Sequence, residues 1–120
     1  MKRILVVDDN QEILELIELI LNLEGYQVSG LMDASHFNQR ITDFKPDLIL
    51  LDVMLGALDG RDLCNLLKAD QLTLHIPVIM ISASHNLSDM KGSICHPNDF
   101  IAKPFDISNL INKVSAQLAA

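Results

Sequence analysis

The segment PDLILLDVMLG, Pro46 to Gly56, sets a single carboxylate inside the most apolar run of the chain. Leu48, Ile49, Leu50 and Leu51 are unbroken aliphatic residues, Asp52 interrupts them, and Val53, Met54 and Leu55 resume the run. Four apolar residues without alternation read as a strand covered on both faces, the kind found in parallel sheets flanked by helices. Pro46 marks where that strand starts, because proline is confined to strand beginnings and edges. Asp52 marks where the strand emerges from its cover.

The rest of the chain repeats this grammar. Ile4 to Val7 is a second continuous apolar run, and it ends in Asp8-Asp9. From Asn10 the period changes: Ile13, Leu16, Ile17, Ile20 and Leu23 fall at helical spacing, with Glu12, Glu15, Glu18 and Asn22 on the other side. Asn10 is suited to cap that helix and Gly25 to stop it. A weak strand is expected over Gln27–Leu31 and a helix over Ser35–Asp43. The loop with Gly56 and Gly60 leads to a third helix, Arg61–Ala69. Pro77 opens a strand, Val78–Ile81, that ends in Ser82. A short helix is expected around Ser88–Met90, opposed by Gly92, Ser93 and Pro97. Phe100–Ala102 reads as a fifth strand, and Asp106 caps a last helix with Ile107, Leu110, Ile111, Val114 and Leu118 on one face. Five strand–helix units in succession imply a parallel sheet with helices on both faces.

Composition narrows the function classes. The 120 residues suit one domain, 1–120, with no output domain expected within them. Nearly half the residues are apolar and Trp is absent, which favours an aliphatic core. A formal net charge of -7 and no basic stripe argue against direct nucleic-acid binding. Cys64 and Cys95 stand alone, without a CxxC, and are expected as two free thiols, one disulfide being the alternative. The N-terminal apolar run stops at Val7, too short for a signal-peptide core, and no run is long enough to span a membrane. A cytoplasmic protein is the expectation.

Ligands in parallel α/β sheets sit beyond the carboxyl ends of the strands. Those ends carry Asp8 and Asp9, Asp52, Ser82, and Lys103-Pro104. Singly, each has an ordinary explanation as a cap, a turn residue or a solvated lysine. One fold hypothesis, however, sends all of them to one crevice. Two carboxylates about 4 Å apart repel by roughly 4 kcal/mol at an effective dielectric near 20, so such a cluster needs counter-charge. Lys103 offers one positive charge. A hard divalent cation offers the remainder, and Mg2+ takes carboxylate oxygens while leaving positions for phosphoryl oxygens. A carboxylate in that setting suits nucleophilic attack on phosphorus, with hydroxyl and ammonium donors stabilising the phosphoryl charge.

The motifs ILVVDDN, LILLDVML…DG, VIMISA and DFIAKPF, in this order, resemble the receiver domain of two-component response regulators. The resemblance spans nearly the whole chain and implies a flavodoxin-like, doubly wound sheet of five parallel strands in the order 2-1-3-4-5. It implies that Asp52 is the phosphoacceptor, charged from the phosphohistidine of a histidine kinase or a histidine phosphotransfer protein. It implies an Mg2+ site in which Asp9 and Asp52 ligate directly, Asp8 acts through water, and the Met54 backbone carbonyl completes the protein's ligands. Lys103 corresponds to the lysine that pairs with the phosphoryl group, and Pro104 to a proline after a cis peptide bond. Ser82 corresponds to the hydroxyl that swings towards the phosphoryl group, beside Ala83, and Phe100 to the aromatic whose rotation follows and alters the partner-binding surface. A downstream protein of unstated identity is implied, a dimer formed on phosphorylation is allowed, and no membrane is involved. Gly56 and Cys95-His96-Pro97 depart from the usual pattern.

Two other functions compete. A receiver-fold interaction module working without phosphorylation would usually lack one of the acidic or lysine residues, and this chain keeps them all. A dedicated hydrolase with an aspartyl nucleophile would carry a second Asp two positions beyond the first, where Met54 stands. Met54 and Ser84 should border the water path to the acyl phosphate, and apolar Met54 should give it a lifetime of minutes or longer.

Overall fold

A computed structural model describes residues 1–55, 58–82 and 97–119, with the side chain of Leu58 left out. Gly56, Ala83, Ser84, His85, Cys95, His96 and the short helix expected at 88–90 lie outside the described residues. The elements are β1 (Arg3–Val7), α1 (Gln11–Leu23), β2 (Gln27–Leu31), α2 (Phe37–Phe44), β3 (Leu48–Asp52), β4 (Met54–Leu55), β5 (Leu58–Asp59), α3 (Gly60–Ala69), β6 (Val78–Ser82), β7 (Asp99–Ala102) and α4 (Ile107–Leu118).

The main sheet runs β2-β1-β3-β6-β7, and every pairing in it is parallel. With the short antiparallel pair β4–β5 set aside, this is the expected 2-1-3-4-5 order. Alternate residues of each strand face opposite layers, and both layers are apolar. Leu5, Val7, Ile49, Leu51, Val78 and Met80 pack with Phe37, Cys64 and Leu67 of α2 and α3. Ile4, Val6, Leu48, Leu50, Ile79 and Ile81 pack with Leu14, Ile17, Leu21, Leu110 and Val114 of α1 and α4. That is why the apolar runs lack period-two polarity: all five residues of β3 and of β6 are buried.

The helices begin where their caps stand. The Asn10 side chain accepts from the amides of Glu12 and Ile13 at 3.0 and 3.2 Å. Asp59 and Asp106 do the same for α3 and α4, accepting from the amides of Arg61 and Ser108. Gly25, at φ 92°, ends α1 in the left-handed conformation that suits glycine. Cys64, expected as a free thiol, is instead disulfide-bonded; it lies fully buried on the inner face of α3. No helix among the described residues is long and apolar enough to cross a membrane.

Candidate functional site

Parallel register brings the ends of β1, β3, β6 and β7 side by side. Val7 pairs with Leu51, so Asp8 and Asp52 leave adjacent strands at the same level. Asp52 in turn pairs with Ile81, and Ser82 with Ala102. Lys103 therefore rises directly beyond β7, next to Ser82, whose carbonyl accepts from the Lys103 amide at 2.8 Å.

The side chains converge as the strand ends do. Asp8 is fully buried, and its Oδ1 accepts from the Asn10 amide at 2.9 Å. Lys103 Nζ donates to Asp8 Oδ2 at 2.9 Å and to Asp52 Oδ2 at 3.2 Å, bridging the two acids. Asp52 is only 3% exposed, and its Oδ1 accepts from the Met54 amide at 3.3 Å. Asp9 stands at the exposed rim. One carboxylate oxygen from each of Asp8, Asp9 and Asp52 lies within 4.8 Å of the others.

Burial and repulsion set the charge state. Burial first, and the charge of Asp8 second, push the Asp52 carboxyl up to about 6, against the opposing pull of Lys103. For Lys103, burial works against its charge. The hydrogen bond to Asp8 and the charges of Asp52 and Asp8 outweigh burial and hold the ammonium above the usual lysine value.

The remaining expected residues surround this centre. Ser82 is buried at the end of β6. Met54 opens β4 with its side chain 65% exposed, and the Lys103–Pro104 peptide is cis. Phe100 is half-buried against the α2/α3 layer, beside Met80. Lys113 of α4 donates to the Phe100 carbonyl at 2.7 Å and to Asp99 Oδ1 at 2.8 Å, tying the last helix to β7. No spacing rule announces that contact, since the partners lie on separate elements. A groove of about 1140 Å3 between α2 and α3, lined by Phe37, Ile41, Lys45, Leu66 and Ile76 among others, contains none of these residues.

The family model of the response regulator receiver domain matches residues 4–115. The chain belongs to this family. The DNA-binding dual master transcriptional regulator RpaA of Synechocystis sp. is 35% identical over 119 residues, which are 98% of this chain and 49% of that protein. The phosphate regulon transcriptional regulatory protein PhoB of Pseudomonas aeruginosa is 38% identical over 118 residues, 98% of this chain and 52% of its own length. The chain thus spans about half the length of these curated relatives. Among solved structures, the signal receiver domain of a histidine kinase from Syntrophus aciditrophicus aligns with a TM-score of 0.89 and 30% identity, over 99% of this chain and 91% of that one. A CheY-like receiver domain protein from Methanospirillum hungatei aligns with a TM-score of 0.87 and 30% identity, over 98% and 94%. Receiver domains are phosphoryl-accepting signalling switches rather than dedicated enzymes, and this chain is one of them.

Proposed function

We propose that Asp52 is the residue phosphorylated, that Mg2+ is required, and that the donor is the phosphohistidine of a histidine kinase or a histidine phosphotransfer protein. The observation that carries this reading is the convergence of Asp8, Asp9 and Asp52 around a lysine bridging two of them. Three carboxylates with one ammonium leave a deficit of positive charge and a set of hard oxygen donors, which suits Mg2+. Asp9 and Asp52 would hold it directly and Asp8 through water, with the Met54 carbonyl completing the protein's share. When bound, it neutralises charge on the phosphoryl oxygens.

The chain's own groups do the rest. An Asp52 carboxylate oxygen, whose affinity for a proton burial and Asp8 raise and Lys103 opposes, attacks phosphorus in line with the departing imidazole nitrogen. The P–O bond forms as the P–N bond breaks, and the imidazole, protonated from solvent on its other ring nitrogen, leaves as the neutral ring. Lys103 then pairs with the new phosphoryl oxygens and Ser82 donates its hydroxyl to one of them. Movement of Ser82 opens space for Phe100, whose rotation changes the surface read by a downstream protein.

The test is incubation with acetyl phosphate and Mg2+, followed by intact mass. One phosphoryl group should be gained by the wild-type chain, and none by Asp52→Asn or with the cation chelated. No gain in the wild-type chain sinks the proposal.

A further inference from the structure

Gly60 is buried at the start of α3, and its amide donates to the Val53 carbonyl at 2.7 Å. A Cβ placed on it would lie 2.0 Å from the carbonyl oxygen of Asp52, 2.9 Å from the carbonyl carbon and 3.1 Å from Val53 Cα. Real Cβ atoms do not approach within 3.0 Å, so a side chain here demands about 1 Å of displacement. All three atoms are backbone, so no flexible side chain can yield. The strand is held on both sides by β1 and β6, and the Val53 amide donates to Ile81 at 2.9 Å. Behind Gly60, α3 is seated by buried Cys64 and Leu67.

We infer that Gly60 is a positioning residue for Asp52. Lacking a side chain, it lets the first turn of α3 press directly on the Asp52–Val53 peptide. That contact sets where the carboxylate stands relative to Asp8, Asp9 and Lys103. The inference rests on the reading of Asp52 as the phosphoacceptor. It differs from a general packing role in its consequence: a displaced Asp52 loses alignment with phosphorus and with the cation before the fold is lost. Misplacement of a reacting group by about 1 Å slows reactions by up to about a hundredfold.

The experiment compares Gly60→Ala with wild type and with Gly25→Ala. Gly25 sits at φ 92° with nothing within 4 Å of a built Cβ, so alanine there strains the backbone without touching the site. Each chain is checked for folding by far-UV circular dichroism and thermal melting. Each is then phosphorylated with acetyl phosphate and Mg2+ and followed by intact mass, and its Mg2+-dependent rise in Tm is recorded. Gly60→Ala should fold, take up phosphoryl groups about tenfold to a hundredfold more slowly, and show a smaller Mg2+-dependent rise. Gly25→Ala should lose stability yet keep the wild-type rate and Mg2+ response. A Gly60→Ala rate equal to wild type overturns the inference, as does equal slowing in Gly25→Ala. A Gly60→Ala chain that does not fold also overturns it, assigning the glycine to the fold as a whole. Failure of the wild-type chain to be phosphorylated overturns the phosphoacceptor reading instead.

Discussion

Replacing Asp52 by asparagine should make the metal-free protein more stable at neutral pH, although Asp52 lies at the end of the central strand. The magnitude follows from the charge state. The carboxyl is pushed from 3.8 to about 6, by burial first and by Asp8 second. At about 1.4 kcal/mol per unit, keeping it ionised well above 6 costs the fold about 3 kcal/mol. The folded-state pKa lies above the unfolded one, so the folded chain holds the proton more tightly. The penalty is therefore absent below the unfolded value of 3.8, grows as pH rises toward 6, and is complete above it. Asparagine keeps the size and an acceptor for Lys103 Nζ, now 3.2 Å from Asp52, but loses the charge attraction. A net gain of up to about 3 kcal/mol is expected, because the attraction to Lys103 is already counted in the rise to about 6. In a domain of this size about 1 kcal/mol corresponds to about 4 °C in Tm. The assay is thermal and urea unfolding of Asp52→Asn and wild type with divalent cations chelated, at about pH 7.5 and again at about pH 4. The gain should be present at the higher pH and shrink at the lower. An Asp52→Asn protein no more stable than wild type at the higher pH would refute the reasoning, as would a gain independent of pH.

The same electrostatics makes Lys103 the opposite case. Lys103→Met leaves two buried carboxylates that now share one ammonium at 2.9 and 3.2 Å, so urea unfolding without divalent cations should show a loss of about 3 kcal/mol or more. A loss below about 1 kcal/mol would mean the bridge does not offset the repulsion. The phosphorylated chain should keep its phosphoryl group for minutes or longer once the donor is removed, because exposed Met54 has no group to orient an attacking water. Loss within seconds, followed by intact mass, would contradict this.

What the sequence disclosed and what it hid follow physical lines. Strands such as Leu48–Asp52 and Val78–Ser82 were legible because burial on both faces makes them continuous apolar runs. The weaker β2, with Ser29 and Gly30 only partly buried, was legible mainly from its place between helices. The convergence of Asp8, Asp9, Asp52 and Lys103 was legible because parallel strands deliver their ends to one edge. Element ends were less so: α2 starts at Phe37 rather than Ser35, and α3 at Gly60 rather than Arg61. The β4–β5 pair escaped notice because two-residue strands show no period. The disulfide at Cys64 and the Lys113 contact with Asp99 and Phe100 depend on distances that no local pattern encodes. Gly60 is a subtler miss. Its reading as a loop glycine was compatible with the residues, yet its reason is the Asp52 carbonyl that occupies the space of a Cβ.

The carboxylate that interrupts the apolar run in Pro46–Gly56 is thus tied to the sheet's geometry. A strand buried on both faces can present a charged group only where its helical cover ends, and Asp52 is the last residue of β3. Moving the charge one residue back would set it at Leu51, fully buried in the apolar α2/α3 layer with Val7, Phe37 and Met80. Moving it one residue forward would place it at Val53, which packs in the same layer. At position 52 the side chain is buried enough for its pKa to rise and still within reach of Lys103. The contact from Gly60 is closest at the peptide that carries this residue. Packing density and charge repulsion therefore meet at one residue. A site of this kind draws on the stability of the surrounding sheet, where Leu50, Leu51 and Ile81 are fully buried, to hold acidic groups that would otherwise separate.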